Sequence, residues 1–198
     1  MYSILMDTST SYLVVGLLKD GTFLEKRQME ALRKQSEEAV PLLEEVLKLH
    51  NLKMKDINEA IVTIGPGSYT GVRVALTIIK TFEVILPIKV KAVSSLEIYK
   101  TEIPTIAMID ARSKKAYVGI YNGDQKEEKL MSLDELKQFV NSHQEYVCKG
   151  QRALIGLDEE EYDLCDMIYQ TSLSYDYVED VKALVPHYIK NVEVSTKK

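Results

Sequence analysis

The residues best placed to do chemistry fall in short runs: Asp7-Thr8-Ser9-Thr10, a carboxylate followed by hydroxyls; Gly65-Pro66-Gly67-Ser68-Tyr69-Thr70-Gly71, a glycine-rich turn; and Asp110-Ala111-Arg112-Ser113, which repeats the leading acid. A glycine turn that opens a helix presents unpaired N–H groups and the positive end of the helix dipole, the usual setting for a bound anion. Glycine takes positive φ without strain, proline pre-sets a turn, and Ser68 or Thr70 supplies the cap of the following helix. The same glycines suit a sharp reversal with close packing and no ligand, the commoner role of a glycine turn. Asp7, Thr8, Ser9, Gly67 and Ser68 are therefore the candidate anion or nucleotide loop. Asp7 and Asp110 would hold a metal–nucleotide complex only if both turns closed on it, and otherwise each is a strand-end turn former.

Known motifs narrow the chemistry. Gly65 and Gly71 are separated by Pro66 to Thr70, and Val72 stands where a phosphate-binding P-loop needs Lys. Ser68 has Pro66 two residues before it and Thr70 two after it, where a nucleophile elbow needs glycines. A dinucleotide fingerprint belongs after the first strand, with different glycine spacing. His50, His143 and His187 make no metal-binding pair, and Cys148 and Cys165 stand alone without C-x-x-C spacing. No metal site is expected.

The elements that position these runs follow from periodicity. Ile4-Leu5-Met6 and Tyr12 to Leu18 read as strands, and Asp20-Gly21 turns into a third over Thr22 to Arg27. Ser36 to Asn51 reads helical, with Pro41 either starting its regular part or removing one hydrogen bond. Ala60 to Ile64 is a strand entering the glycine turn, Val72 to Ile85 a helix, and Ile88 to Val93 a strand. Val72 to Ile85 is apolar nearly all round, so one face covers a sheet and another meets either the rest of the chain or a partner protein. Ser94-Ser95-Leu96-Glu97 reads as a capping box heading a short helix.

The second half repeats the plan. Thr105 to Ile109, Ala116 to Tyr121 and Gln125 to Leu130 are strands, and Ser132-Leu133-Asp134-Glu135 caps a helix to about Asn141. Beyond Tyr146 to Lys149 the signals weaken, leaving only a helix near Tyr177 to Val185. Two β-β-β-α-β patterns, each with Asp at the end of its first strand, predict an α/β chain of two lobes, residues 1–103 and 104–198, in the ribonuclease H-like, actin-like (ASKHA) architecture.

The chain has 198 residues, 45% apolar and 28% charged, with a formal net charge of −5. This is globular composition, and the acidic balance argues against gripping nucleic acid alone. Arg112, Lys114 and Lys115 form the densest basic spot, which reads as a solvated turn. Without a signal-like start or an apolar run long enough for a bilayer, a reduced cytoplasmic protein is expected.

Taken together, Asp7-Thr8-Ser9-Thr10, Gly65 to Arg73, Val93-Ser94-Ser95-Leu96-Glu97, Ile109-Asp110-Ala111-Arg112 and Pro186-His187-Tyr188-Ile189 resemble, in order and spacing, the TsaB (YeaZ) family. The resemblance implies a catalytically inactive subunit that forms a heterodimer with a TsaD-type subunit. With a TsaE-type ATPase, that pair makes N6-threonylcarbamoyladenosine beside the anticodon of tRNA. It implies no cofactor for this chain, ATP and threonylcarbamoyl-AMP being used by partner subunits, and tRNA met mainly through the complex. It also implies that the helices matching Ser36 to Asn51 and Val72 to Ile85 pack on TsaD, or on themselves as a homodimer when TsaD is absent. Leu43, Val46, Leu47, Val72, Leu76, Ile79 and Phe82 are then the candidate interface. The sequence departs from the family pattern at Gln35-Ser36-Glu37, which lacks the frequent histidine, at Tyr69 in place of Phe, and beyond Gly150. The alternative reading is a stand-alone ATP-binding or phosphotransfer enzyme of the actin-like fold.

Overall fold

A computed structural model describes residues 1–31 and 34–189. The first sheet is built around β1 (Tyr2–Asp7), whose Ile4-Leu5-Met6 core is buried on both faces. β2 (Tyr12–Lys19) pairs with it antiparallel, and Asp20 and Gly21, at φ 49° and 80°, turn the chain into β3 (Thr22–Glu30). α1 (Gln35–Leu49) contains Pro41, so the Glu37 carbonyl loses its i+4 donor, yet the helix continues.

β4 (Glu59–Thr63) lies parallel to β1, α2 (Tyr69–Ile85) follows it, and β5 (Lys89–Val93) lies parallel to β4, giving the order β3-β2-β1-β4-β5. Strand alternation sorts the core: Ile4, Met6, Val15 and Val62 join Leu43, Val46, Leu76 and Ile79 of the helices in one cluster. Leu5, Val14 and Ile61, out of phase with these, face the other side.

The second sheet contains β6 (Thr105–Arg112), β7 (Lys115–Asn122), β8 (Gln125–Ser132) and, after α3 (Leu133–Ser142), β9 (Val147–Gly150) parallel to β6. Its order is β8-β7-β6-β9, with Ile106, Met108, Ala116, Val118 and Leu136 at the core. Ser132 and Glu135 form the expected capping box: Ser132 Oγ accepts from the Glu135 N–H at 3.2 Å and Glu135 Oε2 from the Ser132 N–H at 2.8 Å. The β-β-β-α-β plan thus recurs, and the fold is the two-lobed actin-like architecture that the repeat predicts.

Three expectations are corrected. Residues 161–187, expected in the second lobe, belong to the first unit, with Met1–Ile98; the second unit is built on Tyr99–Glu160. The cause is α4 (Leu164–Ser172), capped by the Asp163 carboxylate, whose Leu164, Cys165 and Ile168 are buried against the first sheet. The helix expected over Tyr177 to Val185 is only a 3₁₀ turn at Val181–Ala183, because the Val178 N–H goes to the Val90 carbonyl of β5 at 2.8 Å. The Ser94 box caps no α-helix: its hydroxyl accepts from Leu96 and Glu97 N–H groups, but only a 3₁₀ turn at Glu97–Tyr99 follows.

Candidate functional site

The Asp7 turn and the glycine loop meet within the first unit. Asp7 is 1% exposed, and its Oδ1 accepts from the Ser9 N–H at 2.8 Å and from the Thr63 hydroxyl at the end of β4. Burial pushes this carboxyl above the usual carboxylate range, against the opposing effect of hydrogen bonds from Thr63, Ser9 and the Thr8 backbone. Thr8, wholly buried, joins the turn to α2: its hydroxyl donates to the Gly71 carbonyl at 2.6 Å and accepts from the Ala75 N–H at 3.1 Å.

The loop approaches from the other side. The Ser68 N–H donates to the Ser9 carbonyl at 2.7 Å, while Ser68 Oγ caps α2 by accepting from the Gly71 N–H at 3.2 Å. A Cβ on Gly67 would lie 2.2 Å from the Ser9 carbonyl oxygen, and one on Gly71 would lie 2.1 Å from that of Thr8. Gly65, at φ 99°, receives the Ser95 N–H on its carbonyl at 2.8 Å. The structure brings Asp7, Thr8, Ser9, Gly67 and Ser68 together, with the close backbone packing that the sequence offered beside an anion cradle. The glycines admit the backbone of the Asp7 turn, whose Ser9 carbonyl takes the N–H of the α2 cap residue Ser68.

Asp110 repeats the local geometry of Asp7 in the second unit. Its Oδ1 accepts from the Arg112 N–H at 2.8 Å, its Oδ2 lies 3.3 Å from the Arg112 guanidinium, and its own N–H reaches Gln151 Oε1 at 2.6 Å. Arg112, Ser113, Lys114 and Lys115 are exposed, the first three at φ 66°, 52° and 59°. Among the described residues no group of His, Cys, Asp and Glu has the arrangement of a metal site, and no helix is long and apolar enough to cross a membrane.

The seven candidate interface residues do not lie on an open face. Leu43, Val46, Leu47, Val72, Leu76 and Ile79 are buried in the chain, and Phe82 is half-buried against the same core. What the helices leave exposed is Val40 and Leu49 on α1 and Tyr69, Val84 and Ile85 on α2. The Tyr69 ring is covered on one side by the Arg73 guanidinium, 3.5 Å from its centroid.

The segment after α4, where the sequence signals weaken, straps the first unit. The Tyr177 hydroxyl donates to Glu59 Oε1 at 2.9 Å, Ser3 Oγ donates to Glu59 Oε2 at 2.6 Å, and Tyr175 hydroxyl donates to Glu97. The buried Glu59 carboxylate is thereby satisfied, and it holds the Tyr177 phenol above its ordinary value. Lys80 of α2 donates to the Lys182 and Leu184 carbonyls at 2.7 and 2.9 Å, and the His187 N–H closes on the Ile64 carbonyl at 2.7 Å. A lone lysine in the apolar Val72 to Ile85 run was the available signal for this clamp.

Known proteins of the same build explain the repeated plan. The family model described as "TsaD: tRNA N6-adenosine threonylcarbamoyltransferase" matches residues 29–153, more than half of the chain. The chain is 28% identical over 186 residues to the tRNA threonylcarbamoyladenosine biosynthesis protein TsaB of Bacillus subtilis (strain 168), covering 89% of this chain and 74% of that protein. It is 28% identical over 165 residues to the protein of the same name from Haemophilus influenzae (strain ATCC 51907 / DSM 11121 / KW20 / Rd), covering 78% and 67%. Among solved structures, YeaZ from Pseudomonas aeruginosa superposes with a TM-score of 0.56 at 28% identity, over 66% of this chain and 64% of that one. With these matches and five sequence blocks in register on an actin-like repeat, the chain belongs to the TsaB (YeaZ) family.

Proposed function

We propose that this chain serves the formation of N6-threonylcarbamoyladenosine in tRNA as a non-catalytic subunit that binds and supports a TsaD-type threonylcarbamoyltransferase. Its relatives carry the name of that biosynthesis, which supports the pathway. The observation that carries the scaffold reading is the closed Asp7 turn. The Asp7 carboxyl, the Thr8 hydroxyl and the Ser68 cap that a phosphate would use are each engaged in hydrogen bonds within the chain, so this region joins β1 to α2.

That joint fixes α2, and with it the apolar side chains Val84 and Ile85 that α2 leaves open. Burying such side chains against a partner contributes roughly 25 cal/mol per Å2 before association costs are subtracted. On this reading ATP and threonylcarbamoyl-AMP are handled by the partner subunits, and an acidic chain meets tRNA mainly through the complex. Light scattering on a mixture with the TsaD-type subunit of the same organism tests it: a heterodimer mass is expected, and two unmixed species would overturn it.

A further inference from the structure

The turn between β6 and β7 departs from the chemistry of the chain's other hairpins. Gly21 takes a positive φ in the β2–β3 turn and Gly123 in the β7–β8 turn, at 80° and 58°. Between β6 and β7, where Arg112 pairs with Lys115, the two turn residues are Ser113 and Lys114, at φ 52° and 59°, and Arg112 joins them at 66°. Glycine and asparagine adopt this backbone cheaply, whereas serine, lysine and arginine are strained in it, and such strain gathers at functional positions.

What the strained turn keeps is charge. Arg112, Lys114 and Lys115 are all exposed, and the surroundings fix the backbone that carries them. The Arg112 guanidinium lies 3.3 Å from Asp110 Oδ2, and the Lys114 carbonyl accepts from the Leu133 N–H at 3.0 Å, at the start of α3. Glu135, the carboxylate whose charge Lys115 meets, is committed to Ser132, taking its N–H and hydroxyl at 2.8 and 2.7 Å. Among the described residues no large apolar side chain between 105 and 156 is exposed, so a protein partner would find no apolar anchor at this turn. A phosphodiester backbone needs none, because cations hold it without reading sequence.

We propose that Arg112, Lys114 and Lys115 form a contact of this chain with the phosphate backbone of tRNA. The contact rests on the role proposed above in the threonylcarbamoyladenosine complex. There an acidic chain that does not grip RNA alone adds three cations to what its partner supplies.

The affinity of tRNA for the complex with the TsaD-type subunit is measured against salt for the parent, for Ser113→Asn with Lys114→Gly, and for Arg112→Gln with Lys115→Gln. The first variant installs the pair that this hairpin prefers, so its melting temperature should rise by about 2–4 °C. Its tRNA affinity should nevertheless fall about five- to eightfold at about 0.1 M salt, with the slope of log affinity on log salt reduced by about 0.7–0.9. The second variant, short of two cations, should lose about twice as much slope. A firmer fold with weaker binding separates a contact from a structural role. Unchanged slopes in a complex that still binds tRNA overturn the proposal and leave the scaffold reading standing. Dissociation of the variant complexes, seen by light scattering, makes the turn a protein contact and overturns the proposal as well. A parent chain that forms no complex overturns the scaffold reading, and this proposal with it.

Discussion

Gly67 and Ser9 lie so close that the Ser9 carbonyl oxygen is within 2.2 Å of the point where a side chain on Gly67 would begin. That contact, with the Ser68 N–H on the same oxygen at 2.7 Å, ties the first strand's turn to the start of α2. Gly67→Ala should therefore lower stability by about 3 kcal/mol or more, because backbone rather than a flexible side chain must move. Denaturant titration checks this; a loss near zero would mean that the loop and the turn are not in contact.

Asp7 gives a pH dependence with a definite sign. Its carboxyl is raised by burial, so between the unfolded and folded values the native state holds the proton more tightly than the unfolded chain, and stability falls as pH rises through that window. Asp7→Asn keeps an acceptor for Ser9 and Thr63 without the charge. The variant should gain on the parent as pH goes from 4 toward 7, seen as a growing difference in melting temperature. A difference that shrinks over that range contradicts the assignment.

The strap makes a separate prediction. Lys80→Met removes donors to the Lys182 and Leu184 carbonyls and should cost about 1–2 kcal/mol. Limited proteolysis should then cut between Leu173 and His187 faster than in the parent. Unchanged cleavage there would mean that Val178, Val181 and the tyrosines hold the segment without the clamp.

These relationships were unevenly legible in the sequence. Both β-β-β-α-β repeats, the Asp-headed turns, the Ser132 capping box and the join near residue 100 follow from local periodicity and turn chemistry, which neighbouring residues determine. The return of 161–187 to the first unit did not, although Asp163 followed by Leu164, Cys165 and Ile168 was a capped amphipathic signal. Its weight was lost because the partner surface, on β2, β3 and β5, is more than seventy residues away in the chain. The glycine loop was legible by type, with close packing and an anion cradle both open. A tight backbone approach and an anion cradle demand the same residue, and only the Thr8 and Ser9 carbonyls distinguish them.

The same limit explains the interface residues. Periodicity identifies an apolar helix face but cannot say whether the chain's own sheet or a partner covers it. Leu43→Ala should cost about 2–5 kcal/mol of the chain's own stability, as expected for a buried core leucine. Val84→Glu with Ile85→Glu should change stability by less than about 0.5 kcal/mol each, yet weaken association with the TsaD-type subunit by at least about tenfold. Calorimetric titration separates the two. Undiminished binding would exclude the exposed end of α2 from the contact.

The central claim is that this chain supports catalysis without performing it. The decisive measurement is threonylcarbamoylation of tRNA by the TsaD-type and TsaE-type subunits and the synthase of the same organism, with and without this chain. Product that forms only when the chain is added, with no ATP turnover or tRNA modification by the chain alone, is the predicted result. Modification by the chain unaided, or full activity in its absence, would contradict it.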